Sequence, residues 1–144
     1  MSVTVIEDNS DKVAEEIRAR INKALEICGL TAENYAKKLC TVDTGLLRNS
    51  ITHALSGEPA AISTYSADKA KGNKPIQTGE YSGSAPEEST PSKMAVYIGT
   101  NVEYAPYVEL GTSSHQAKPF LKPAVADHAS QYREIIEQVL KGTL

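Results

Sequence analysis

Three histidines and two cysteines are the residues of this chain that could hold a metal ion or act as imidazole and thiol catalysts. Zinc sites place their ligands in short pairs along the chain, whereas His53, His115 and His128 show no such paired spacing. Cys28 and Cys40 lie twelve residues apart on one predicted helix, about 18 Å at 1.5 Å per residue, which is too far for a disulfide. We therefore expect no metal site, and we interpret both cysteines as core thiols.

Carboxylates could supply acid–base chemistry, and a hydrolase would pair His115 with Glu103 or Glu109. The chain has no G-x-S-x-G segment to present a serine, and neither cysteine lies in a motif that would activate it. We therefore predict no catalytic residue and no cofactor, and we expect the two glutamates to cap or pair across one helical turn. His128 lies on an apolar stripe and is predicted to be a buried or interface ring.

The composition is typical of one soluble domain. The chain has 144 residues, of which 40% are hydrophobic and 23% charged, with a net charge of -3. This length fits a single domain, residues 1–144, and the charge argues against a general nucleic-acid binder. We find no signal-peptide pattern and no apolar stretch of the roughly 20 residues that span a bilayer. The expectation is a soluble protein, made in the cytoplasm, with no membrane partner.

Two amphipathic helices are predicted. Apolar residues recur every three or four positions from Val13 to Leu39, after a helix N-cap at Ser10. Gly29 could break this helix, but we favour one continuous helix with one end or flank against another subunit. A second apolar stripe runs through residues 125–140, and Pro123 suits the start of that helix.

Alternating apolar and polar residues predict strands over residues 49–56, 60–65 and 93–100, the first two pairing antiparallel. Residues 66–92 are rich in Gly, Pro, Ser and Thr, which predicts a long flexible loop insertion. The predicted fold is α+β, with a long N-terminal helix and a C-terminal helix on one face of a small antiparallel sheet of about three strands.

Two short segments carry the densest local signals. Asp43, Thr44 and Gly45 predict a side-chain-capped turn after the first helix. Pro106 and Gly111 suit the start and the left-handed end of a helix of about one turn. Such a short helix cannot be stable without packing against the rest of the domain.

Tyr104 and Tyr107 are predicted to anchor this short helix by burying their rings. Arg48 is predicted to bind at least one carboxylate, and Asp43 and Glu109 are the charges nearest to the two segments. The alternative is that all three charged side chains are solvated, in which case they contribute little to stability.

Three blocks of the sequence resemble a known family. They read VDTGLLRNSI (42–51), GTNVEYAPYVELGT (99–112) and PFLKPA (119–124). In this order, after a long N-terminal helix, they are similar to the tail-component family of long-tailed double-stranded DNA bacteriophages and prophages. Members of that family are labelled tail completion or head–tail joining proteins.

The resemblance implies a non-catalytic virion structural protein that forms a ring at the head–tail junction. It implies self-association, with a hexamer as our expectation, and contacts with other head–tail connector or tail proteins. DNA would pass through the lumen without specific binding, and the chain would move from the host cytoplasm during assembly into the virion. The candidate structural-motif and interface residues are Asp43, Thr44, Gly45, Arg48, Tyr104, Pro106, Tyr107, Glu109, Gly111, Pro119, Phe120 and Pro123.

One alternative is a nucleic-acid-binding or other non-catalytic interaction module that uses Lys69, Lys71 and Lys74. A small hydrolase built on His115 is a weaker alternative, because the sequence offers no recognisable nucleophile for it.

Overall fold

The computed structural model describes residues 10–56, 61–83 and 94–142, and it confirms the α+β class. None of the helices in these ranges combines the length and the apolar character that a membrane span requires. The elements follow in the order α1 (Ser10–Leu39), α2 (Leu46–Ser50), β1 (Thr52–Leu55), β2 (Ala61–Ser66), β3 (Thr78–Gly83), β4 (Val96–Gly99), α3 (Ala105–Leu110), α4 (Leu121–Ala126) and α5 (Ala129–Leu140).

Helix α1 is the long helix that the apolar spacing predicts, and it runs through Gly29 without a break. The side chains that it buries are small, namely Ala24, Cys28, Ala32 and Ala36. Small side chains let neighbouring elements approach closely, and α1 packs against β1, β4, α4 and α5. Both cysteines are buried free thiols, as predicted.

The C-terminal helix is divided, which differs from the single helix predicted from Pro123 onward. Helix α4 contains Pro123 as its third residue, and the backbone leaves helical geometry at His128, where φ is -121°. This break lets the half-buried His128 ring stack on Tyr35, with ring centroids 3.6 Å apart. Helix α5 then returns along α1 in the opposite direction, as the contacts from Arg20 to Leu140 and from Tyr35 to Gln131 show.

The strands form two antiparallel pairs instead of one sheet of about three strands. Strand β1 pairs with β4 and strand β2 pairs with β3, so the predicted pairing of residues 49–56 with residues 60–65 is wrong. The first strand starts only at Thr52, because Leu46–Ser50 form the short helix α2. Strand β1 therefore pairs with the strand farthest from it along the chain and not with β2, the nearest one.

Strand β3 lies inside the segment predicted to be a loop, so residues 66–92 are not without secondary structure. Its sequence, TGEYSG, has too few apolar residues to show alternation. Gly79 pairs with Tyr65, and a β-carbon at Gly79 would collide with the Tyr65 ring. Gly79 thus weakens the alternating pattern of the strand, but its lack of a side chain leaves room for the Tyr65 ring. Residues 84–92 of the predicted loop lie outside the described residues.

The core lies where the end of α1 meets α2, α3 and α4. Phe120 is its largest fully buried side chain, with Ile51 beside it in the same cluster. The other buried members are Ala36, Cys40, Leu47, Val102, Ala105 and Ala124. This core holds together the segments that carry the three sequence blocks.

Candidate assembly surface

The two segments singled out in the sequence meet in space and form a groove. One wall is the turn of residues 41–47, and the other is α3 with the following residues 112–118. Two adjoining cavities of about 410 and 240 Å³ make up this groove, and Thr41, Tyr104 and Val108 line both. We call it the motif groove.

The turn of residues 43–45 is fixed by backbone contacts more than by its aspartate. Thr44 is buried, its hydroxyl accepts a hydrogen bond from the Leu46 N–H at 3.4 Å, and its carbonyl accepts one from the Asp68 N–H at 2.7 Å. Gly45 has φ of 90°, a left-handed conformation that favours glycine. Asp43 does not cap the turn but forms an exposed ion pair with Lys71 at 3.3 Å.

Arg48 binds a carboxylate, as predicted, but its partner is Asp68, which the sequence did not single out. Asn49 also donates to Asp68, at 2.9 Å, and to the Ser66 carbonyl at 2.8 Å. The hydrogen bond from Asn49, together with the charge of Arg48, lowers the pKa of Asp68. These contacts attach helix α2 to the β2–β3 hairpin.

Helix α3 has the bounds that its proline and glycine predict. Pro106 is its second residue and is exposed, and Gly111 ends the helix with φ of 79°. A β-carbon at Gly111 would stand 2.7 Å from the Ala117 backbone nitrogen, so the close approach of residues 112–118 requires glycine. The Lys118 N–H donates to the Val108 carbonyl at 2.8 Å and holds this loop against α3.

Glu109 links α3 to the start of α4. Its carboxylate accepts hydrogen bonds from the backbone N–H groups of Phe120, Leu121 and Lys122, at 2.7, 3.0 and 2.9 Å. Burial acts to raise the pKa of Glu109, but these three bonds outweigh it and the pKa is lowered. Glu109 therefore caps a helix, one of the two roles predicted for it, and it positions the fully buried Phe120.

Residues 119–124 complete the junction between α3 and α4. Pro119 is exposed and precedes the buried Phe120, whereas Pro123 is half-buried within α4. The third sequence block, residues 119–124, thus supplies the core side chain and the N–H groups that Glu109 caps.

The tyrosines do not anchor α3, so that prediction is wrong. Tyr104 and Tyr107 are 43% and 62% exposed, and Leu110 is 78% exposed. The buried contacts come instead from Ala105 of α3 and the preceding Val102, with the partly buried Val108 packed against the same core. The larger apolar side chains are left on the outer surface of the helix and at the motif groove.

The geometry of the groove does not favour the hydrolase hypothesis. His115 is exposed in the groove, but the two carboxylate oxygens of Glu109 are directed at backbone N–H groups of residues 120–122. Within the described ranges, no three or more His, Cys, Asp or Glu side chains are grouped so as to hold a metal ion.

A cluster of His53, Glu26 and Glu33 between β1 and α1 was not predicted from the sequence. His53 on β1 lies between two glutamates of α1, with Nε2 at 2.7 Å from Glu26 and Nδ1 at 3.2 Å from Glu33. The hydrogen bond with Glu33, followed by that with Glu26, raises the pKa of His53 to about 9 against the effect of burial. The seven-residue spacing of the glutamates, which places them on one helix face, was the available signal.

Comparison with known proteins places this arrangement in a class, that of bacteriophage tail components. The matching family is described as "Bacteriophage HK97-gp10, putative tail-component", and its model covers residues 5–111. The chain belongs to this family, which confirms the resemblance seen in the sequence blocks. No curated protein and no solved structure matches the chain significantly.

Proposed function

We propose that this chain is a virion structural subunit, without catalytic activity, whose copies assemble into a ring at the head–tail junction of a tailed phage or prophage. Its membership of a phage tail-component family supports a structural role. The role requires surfaces for other copies and for neighbouring tail or connector proteins, and no chemistry of its own. Such a subunit would assemble in the host cytoplasm and remain in the virion.

The observation that carries the proposal is the exposure of large apolar side chains on helix α3, which lies in the second of the three sequence blocks (residues 99–112). Tyr107 and Leu110 of α3 are mostly exposed and Tyr107 lines the motif groove, although Ala105 and Val108 of the same helix pack in or against the core. Contiguous exposed apolar surface of this kind marks interaction sites. The motif residues from Asp43 to Leu47 on the facing wall, and Arg48 next to them, would then lie near an interface.

Native mass spectrometry over a range of concentrations tests this proposal. We expect a discrete closed oligomer, with six copies as the expected number, because head-to-tail contacts close into rings when the rotation per subunit allows it. A protein that stays monomeric at every concentration would contradict self-assembly into a ring.

A second candidate function has one observation in its favour. Lys69, Lys71 and Lys74 are all exposed on the connection between β2 and β3, and they could contact nucleic-acid phosphates. Binding to duplex DNA that weakens steeply as salt is added would support it. No binding at low salt would exclude it.

A further inference from the structure

We propose that the first three turns of α1 in one copy dock into the motif groove of the next copy, which makes the contact head-to-tail. This inference rests on the proposed function and specifies its interface. Three features carry it: a helix end that no element in the described residues covers, a groove at the far end of the same helix whose apolar lining is Tyr104, Tyr107 and Val108, and the distance between them.

The beginning of α1 extends past the elements that cover the rest of the helix. Arg20 lies beside the Leu140 carbonyl, so α5 ends at the level of Arg20. Residues 11–20 are all exposed, and at 1.5 Å per residue this stretch projects about 15 Å. Val13 and Ile17, four positions apart, are 49% and 47% exposed and form one apolar face on it.

The opposite end of α1 leads directly into the motif groove. Thr41, two residues after the helix ends, lines both cavities of the groove. Tyr107 lines the larger cavity and Leu110 lies on the same short helix. An amphipathic helix with two apolar anchors one turn apart is the kind of ligand that such a groove accepts.

The length of α1 requires that this contact be intermolecular. Val13 and the end of α1 at Leu39 are separated by a continuous helix, about 40 Å at 1.5 Å per residue. The chain therefore cannot insert its own helix end into its own groove. Two different surfaces at the two ends of one helix generate a heterologous contact, which propagates from copy to copy and closes into a ring when the rotation per subunit allows it.

Charge does not oppose the contact. Residues 11–20 carry three acidic and three basic side chains, the larger cavity is lined by His115 and Lys118, and the smaller one by Asp43. A helix segment about 15 Å long covers less than the roughly 800 Å² per partner of a standard interface. One contact is thus weak, and a closed ring, which gives every copy two contacts, is the stable form.

Cysteine crosslinking between two differently tagged pools tests the arrangement. One pool carries Ile17→Cys and the other Leu110→Cys, and the two native cysteines are buried, which limits background reaction. We expect mild oxidation to give at least tenfold more crosslinked dimer in the mixture than in either pool alone. A matched pool with Arg133→Cys, an exposed position on α5, should give no enrichment when mixed with Leu110→Cys.

Two outcomes would overturn the inference and separate it from the proposed function. If native mass spectrometry shows a closed oligomer but the mixture gives no enrichment, the ring stands and this interface is wrong. If no oligomer forms at any concentration, both are wrong. As a second variant, Ile17→Glu should raise the concentration needed for assembly at least tenfold while the unfolding midpoint stays unchanged, because position 17 is exposed.

Discussion

Gly29 of α1 lies directly against the imidazole ring of His53. A β-carbon at Gly29 would stand 2.8 Å from Cδ2 of that ring and 2.7 Å from Cγ2 of Val96. The absence of a side chain at this one helical position lets β1 and β4 approach α1, so the His53 ring reaches Glu26 and Glu33. The residue that looked like a helix breaker in the sequence is a packing site within an unbroken helix.

Replacing Gly29 with alanine should therefore destabilise the protein. Alanine favours an exposed helix by about 0.5 to 1 kcal/mol, but overpacking a tight contact costs about 1 to 3 kcal/mol. We expect a net loss of about 1 kcal/mol in the free energy of unfolding, measured by urea denaturation. In a Val96→Ala background, which removes one of the two collisions, the same change should cost less. An equal or larger cost in that background would contradict this explanation.

The His53 cluster should make stability depend on pH at neutral to alkaline values. The folded pKa of His53 is about 9, above its ordinary 6.5, so the stabilisation is complete below about pH 6.5 and is lost as the pH rises toward 9. The pKa of Glu33 is lowered, so its contribution is lost only as the pH falls below its ordinary 4.5. The contribution of this cluster to the free energy of unfolding should be greatest between about pH 4.5 and pH 6.5.

His53→Gln tests this pH dependence, because glutamine keeps polar contacts but does not titrate in this range. We expect the wild type to lose on the order of 1 to 2 kcal/mol between pH 6.5 and pH 9, as measured by thermal or urea unfolding. The variant should change much less over the same interval. Parallel curves for the two proteins would show that His53 does not carry the effect.

Glu109→Ala should weaken the junction between α3 and α4. Three backbone N–H groups would lose their acceptor, and we expect a loss of about 1 to 3 kcal/mol in the free energy of unfolding. Glu103→Ala is the matched control, because Glu103 is an exposed glutamate two residues before α3. If the two variants unfold alike, Glu109 does not contribute as a cap.

Phe120→Ala and Tyr107→Ala should separate folding from assembly. Phe120 is fully buried, and its truncation should cost about 3 to 5 kcal/mol in the free energy of unfolding. Tyr107 is mostly exposed, so its truncation should leave the unfolding midpoint nearly unchanged and weaken the proposed oligomer. Calorimetry and native mass spectrometry on the same samples measure the two effects. A large loss of stability in Tyr107→Ala would contradict its exposed position.

The sequence was most informative where the governing interactions are local. The periodic apolar residues of α1 and the pair Pro106 and Gly111 of α3 act through contacts and backbone constraints within a turn or so of helix. These features predicted the long helix and the short one. The three sequence blocks also identified the family, which the family match confirms.

Tertiary structure decided the partners that lie far apart along the chain. Arg48 meets Asp68 twenty residues later, and His53 meets Glu26 from twenty-seven residues away. The pairings β1 with β4 and β2 with β3 likewise depend on where the core places each strand. Local patterns fix which residues can be helical or extended. Which distant groups meet, and that Tyr107 stays outside while Phe120 is buried, follows from packing around one core, where volume and close approach select among many locally acceptable contacts.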